Sequence, residues 1–144
     1  MVERDTIKLL RECDAGAKMG IASIDDVLDH VEDRQLYKKL ADCRQSHEQL
    51  QCRIQELLGK YQDAGKDPNP IAKGMSWMKT NMKLGMEATD GTIADLMTDG
   101  CNMGVKSLNR YLNQYKAADE QSKEIAKKLS RLEEQLTVDI RQFL

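Results

Sequence analysis

Along 35–62, Leu36, Leu40, Cys43, His47, Leu50, Ile54, Leu57 and Tyr61 follow one another at steps of four and three. That spacing places all of them on one side of a long α-helix, the side that faces a core. A β-strand would put successive members of such a series on opposite faces, so this stretch commits a large part of the chain to helix. At about 1.5 Å per residue the helix would be about 40 Å long. One member of the line, His47, is polar and falls near its middle.

The remainder of the chain reads the same way. A first helix over 5–31 carries Ile7, Leu10, Ala17, Ile21, Ile24, Leu28 and Val31, with Asp5 or Thr6 as its cap. The line passes Cys13 and Asp14 and narrows around Ala15, Gly16, Ala17 and Gly20, where small residues let a neighbour approach. Asp14 is expected on the flank of this helix, solvated or paired. Asp33 caps the second helix, 34–62, and the short connection turns the two antiparallel. Arg44 and Glu48 stand four apart on its outer face.

Both prolines of the chain, Pro68 and Pro70, lie in one loop signal, Asp63–Pro70. Asn69 and Pro70 suit the start of a further helix over 70–85. Four of the eight methionines lie in 75–86, including the stripe Met75, Met78 and Met82. Such a stripe fills a core or lines an adaptable binding surface. After Thr89-Asp90-Gly91-Thr92, a helix over 91–115 carries Ile93, Met97, Gly100, Gly104, Leu108, Tyr111 and Tyr115. Gly100 and Gly104 cut a notch in one face, at about 1 kcal/mol of helix propensity each. Close packing is the favoured reason for them, and a small pocket the other. A last helix, 119–143, has the line Ile125, Leu129, Leu132, Leu136, Ile140 and Phe143, with Glu124 and Lys128 as an exposed pair.

The expected fold is therefore all-α: a single domain over 1–144, an antiparallel four-helix bundle with an additional helix in the long crossover between its second and third helices. The 144 residues suffice for a sizeable core. A net charge of −2, with 22 basic and 24 acidic residues intermixed, argues against nucleic-acid binding. No apolar run is long enough to span a membrane, and the N-terminus lacks a signal-peptide pattern. Cys13, Cys43, Cys52 and Cys101 are scattered without a C-x-x-C pair, which fits reduced thiols in a cytoplasm.

The segment Leu9-Leu10-Arg11-Glu12-Cys13-Asp14-Ala15-Gly16, the break Val31-Glu32-Asp33-Arg34-Gln35-Leu36, and Ile71–Leu84 with Trp77 resemble an uncharacterised bacterial family described as ferritin-like four-helix bundles. The resemblance implies the ferritin-like topology and no activity. Ferritin-like di-iron chemistry needs four inward carboxylates and two imidazoles at one level, two of the helices each supplying a Glu-x-x-His. Here the residue three before His47 is Arg44, and the last helix has no histidine. His30 lies at a helix end. Matching levels across the hairpins sets His47 opposite the neighbourhood of Ala17 and Gly104 opposite the neighbourhood of Leu132, with no convergent carboxylates.

The expected protein is thus non-enzymatic, without cofactor, and structural or partner-binding, with a homodimer or another protein as possible partner. The alternative is a metal-binding or redox site around Cys43 and His47, four apart on one face, completed by Asp14 and Cys101. There is no phosphate loop and no G-x-S-x-G elbow. A cysteine–histidine nucleophile would need an accessible thiolate, and Cys43 falls on the buried line.

Overall fold

The computed structural model describes residues 4–68 and 87–144. Within them the chain is all-helical: α1 (Arg4–Leu28), α2 (Arg34–Lys60), α3 (Asp90–Gln114) and α4 (Glu120–Ile140), followed by a single 3₁₀ turn, Arg141–Phe143. No strand occurs among the described residues. The helix expected over 70–85, with Trp77 and the Met75, Met78 and Met82 stripe, lies outside them.

α1 packs along α2 and α3 along α4, and the two hairpins meet through α2 with α4 and through α1 with both α3 and α4. Hydrogen bonds at the two ends set their relative direction. The backbone N–H groups of Glu32 and Asp33, in the α1–α2 connection, donate to the Asp90 carboxylate at 2.9 and 3.0 Å. At the other end the N–H groups of Ala117 and Asp119 donate to Asp5 Oδ2 at 3.0 Å and Thr6 Oγ1 at 2.8 Å. The start of α1 therefore lies beside the end of α3, and the two run antiparallel.

Asp5 and Thr6 thus do something other than cap their own helix. α1 already begins at Arg4, and both side chains instead satisfy orphan N–H groups of the α3–α4 turn. Asp33 caps α2 as expected, and Thr89 and Asp119 cap α3 and α4. Asp33 accepts from Gln35 N and Leu36 N at 2.8 and 3.1 Å, Thr89 accepts from Thr92 N at 3.1 Å, and Asp119 accepts from Ser122 N at 2.8 Å. α1 stops three residues earlier than expected, but Val31 still packs on the core from the connection. On the surface, Arg44 pairs with Glu48 and also with Asp25 of α1. Glu124 pairs with Lys127, at 3.6 Å, rather than with Lys128.

The core comes in two apolar halves. One gathers Leu9, Leu10, Ala17, Leu50, Ile54, Leu108, Ile125 and Leu129. The other gathers Ile24, Leu36, Leu40, Cys43, Met97, Cys101, Leu136 and Ile140. On each helix one position falls between the halves: Gly20 between Ala17 and Ile24, His47 between Cys43 and Leu50, Gly104 between Cys101 and Leu108, and Glu133 between Leu129 and Leu136. The apolar interior is interrupted there by a single layer of two glycines, an imidazole and a carboxylate.

Candidate functional site

His47 reaches this layer because its helix line demands it, and it is 2% exposed. Its Nδ1 lies 2.8 Å from the carbonyl oxygen of Cys43, one turn back, and 3.5 Å from Cys43 Sγ. Its Nε2 lies 3.2 Å from Glu133 Oε1 on α4. A carbonyl can only accept, so Nδ1 carries a proton. Nε2 faces a carboxylate oxygen, so one more proton is shared between His47 and Glu133. Burial pushes the imidazolium down, but its hydrogen bonds with Cys43 and Glu133 outweigh that and raise it from 6.5 to about 10. The arrangement is an imidazolium–carboxylate pair at the centre of the bundle.

The glycines make room for the pair. A Cβ on Gly20 would sit 2.6 Å from His47 Cδ2 and 2.8 Å from Nε2, closer than real Cβ contacts. A Cβ on Gly104 would sit 3.1 Å from Glu133 Oε2. Both glycines therefore have a close-approach reason that outweighs their helix-propensity cost. Cys101 is buried near Glu133. Burial, then the Glu133 charge, push the thiol far above the usual range. Such a thiol is a poor nucleophile and a poor metal ligand.

One expectation about this level needs correction and another is sharpened. First, a carboxylate does converge on it: Glu133 is buried beside His47. The line Leu129–Leu132–Leu136 and the line Leu129–Glu133–Leu136 fit the helical repeat equally well, and hydrophobicity alone favours Leu132. The structure leaves Leu132 partly buried at the edge of the core and turns Glu133 inward. Second, in the expected neighbourhood of Ala17 the residue that His47 meets is Gly20. Helical side chains lean toward their own N-terminus, and in α2 that direction leads toward the later residues of α1. A drift of three residues along α1 is about 4.5 Å.

Of the four residues considered for a metal, Cys43 and His47 come together, and Cys101 joins them through Glu133. Asp14 does not. It is 0% exposed rather than on a solvated flank, and it lies beneath the loop after α2. Its Oδ2 accepts from Lys18 Nζ at 2.8 Å and from the Lys66 N–H at 3.0 Å, while Oδ1 has no partner. Gly65, with φ +88°, passes so close to Oδ2 that a side chain there would collide with it. Lys18 also pairs with Asp67 at 2.8 Å. Asp14 is thus an anchor that ties the post-α2 loop to α1. Among the described residues no group of three or more His, Cys, Asp and Glu side chains is arranged to hold a metal ion.

The other feature at this level is a cleft of about 330 Å³ between α1 and α3. Gly16 and Gly20 line one wall, Gly100 and Gly104 the other, and Glu133 lies among its lining residues. The notch expected on α3 therefore opens on a cavity, the reading that close packing had been favoured over. Cys13, Cys43 and Cys101 are buried free thiols and Cys52 is exposed. No helix among the described residues is long and apolar enough to cross a membrane. Comparison with protein-family models, with curated proteins and with solved structures gives no match.

Proposed function

We propose that this protein is a non-enzymatic helical bundle with a structural or binding role, ferritin-like in form, with its additional helix over 70–85 in the crossover, and without the di-iron ligand set. The observation that carries the reading is the saturation of His47. Both ring nitrogens are spent on protein acceptors, one on a carbonyl and one on the single carboxylate found at that level among the described residues. A pair of hard cations needs several carboxylate oxygens there, and the layer supplies Gly20 and Gly104 on the other two helices. An imidazolium also has no lone pair to give a metal. A cytoplasmic setting belongs to the same reading, in keeping with free thiols.

The rival reading, a metal or redox centre around Cys43 and His47, draws support from the meeting of Cys43, His47, Cys101 and Glu133 in one layer. It would require His47 to give up a proton and turn away from Glu133. Elemental analysis of purified protein distinguishes the two, with no stoichiometric iron, zinc or copper expected. Added metal should shift the melting temperatures of wild type and His47→Gln alike. Near one metal per chain, or a metal-induced rise seen in wild type only, would overturn the proposal.

A further inference from the structure

We infer that the α1–α3 cleft is a binding site for a compact, neutral, largely apolar molecule that presents one N–H or O–H donor to Glu133. The inference deepens the binding reading above. The cavity, about 330 Å³, is at the small end of ligand pockets and suits a molecule of one or two rings. Among the described residues its lining includes glycine backbone and three methionines, the side chain that adapts best to a flat apolar guest: Met19 on α1, Met97 and Met103 on α3; Ser23 and Ser107 lie among them.

The polar feature at the bottom is what gives the site a chemistry. Glu133 is nine-tenths buried, and its Oε2 lies directly beneath Gly104, where any side chain would cover it. Glycine at that position leaves the carboxylate open to the cleft. Its charge is already balanced by His47 through Oε1, so the cleft offers a hydrogen-bond acceptor rather than a bare anion. The charges at the mouth are engaged within the protein too, Lys66 with Glu12 at 2.5 Å and Lys18 with both Asp67 and Asp14 at 2.8 Å. A neutral donor leaves these pairs undisturbed.

Indole is a suitable probe, and indene is its control, because the ring frame is the same and the N–H is replaced by CH₂. With the full ¹⁵N-labelled chain, indole should shift the amide signals of Gly16, Gly20, Gly100 and Gly104, with a Kd of about 1 mM or tighter. Indene should bind about fivefold more weakly or worse, the loss expected when a buried acceptor is left unpaired. Ser107→Leu, which fills the cleft from α3, should abolish the shifts while the rest of the spectrum stays folded. Ser23→Leu does the same from the α1 wall if the first variant fails to fold. Absence of glycine shifts would mean that the cleft is filled by the chain itself and would overturn the inference. So would equal binding of indene, or binding that survives both blocking variants. A metal found in the protein would sink the earlier reading while leaving the glycine shifts untouched, so the two failures are distinguishable.

Discussion

Gly20→Ala and Gly16→Ala make the same chemical change one turn apart on α1, and they should move stability in opposite directions. Each removes a glycine from a helix interior, which by itself is stabilising by about 1 kcal/mol. At Gly16 the new Cβ would meet only Leu129 Cδ2, at 3.5 Å, an ordinary contact. The net effect there should be a gain of about 0.5–1 kcal/mol. At Gly20 the new Cβ would lie 2.6 Å from His47 Cδ2, and the ring is tethered on both sides, to Cys43 O and to Glu133. Relief requires either a shift of α1, at about 1–3 kcal/mol for overpacking, or rotation of the ring. Rotation would forfeit a charge-assisted hydrogen bond worth about 1.5–3 kcal/mol. After subtracting the propensity gain, Gly20→Ala should lose about 1 kcal/mol. For a chain of this size that is a fall of roughly 3 °C in Tm. Urea unfolding followed by circular dichroism gives both values. In a His47→Ala background the Gly20→Ala penalty should vanish or reverse, since the ring is its cause. A Gly20→Ala protein as stable as Gly16→Ala would refute the packing of His47 on Gly20, and with it the central pair.

Other expectations follow from the same geometry. The His47 imidazolium is raised from 6.5 to about 10, so its stabilising contribution is fully present below about pH 6.5 and is lost as pH climbs toward 10. The Tm difference between wild type and His47→Gln should shrink across that window, and a difference that stays flat would contradict the ion pair. Asp14→Ala should lose about 2–4 kcal/mol in urea unfolding, because it strips a buried carboxylate from Lys18 and from the Lys66 N–H. Gly65→Ala should also be destabilising, through its positive φ and its approach to Asp14. Gly59→Ala, in a helix with open space around it, should be neutral or stabilising. A thiol-reactive dye should label Cys52 rapidly in the folded protein. Cys13, whose thiol burial pushes up to about 12, and the buried Cys43 and Cys101 should react only on unfolding.

Much of the architecture can be read from spacing. The helical repeat at Leu36, Leu40, Cys43, His47 and Leu50 depends only on which residues avoid water, and it sends His47 inward whatever the neighbouring helices are. Asp33 and the Thr89 region mark helix starts because a short polar side chain satisfies N–H groups a few residues away. These are local effects, and they survive without knowledge of the rest of the chain.

What the tertiary structure decides is which residue on another helix each inward position meets. Leu132 and Glu133 are neighbours about 100° apart around α4, and both lie within the arc that could face the core. The hydrophobic preference of Leu132 is outweighed because turning Glu133 inward gives a buried imidazolium its counter-charge. Asp14 was set on a flank by its chemistry alone, yet a loop from 52 residues further along the chain covers it and supplies an N–H. Gly20 and Gly104 carry no side chain to reveal their role, and only the ring and carboxylate placed against them explain it. Burial periodicity is a property of one helix. The pairing of charges across a core is a property of the stagger between helices, and no single segment encodes that.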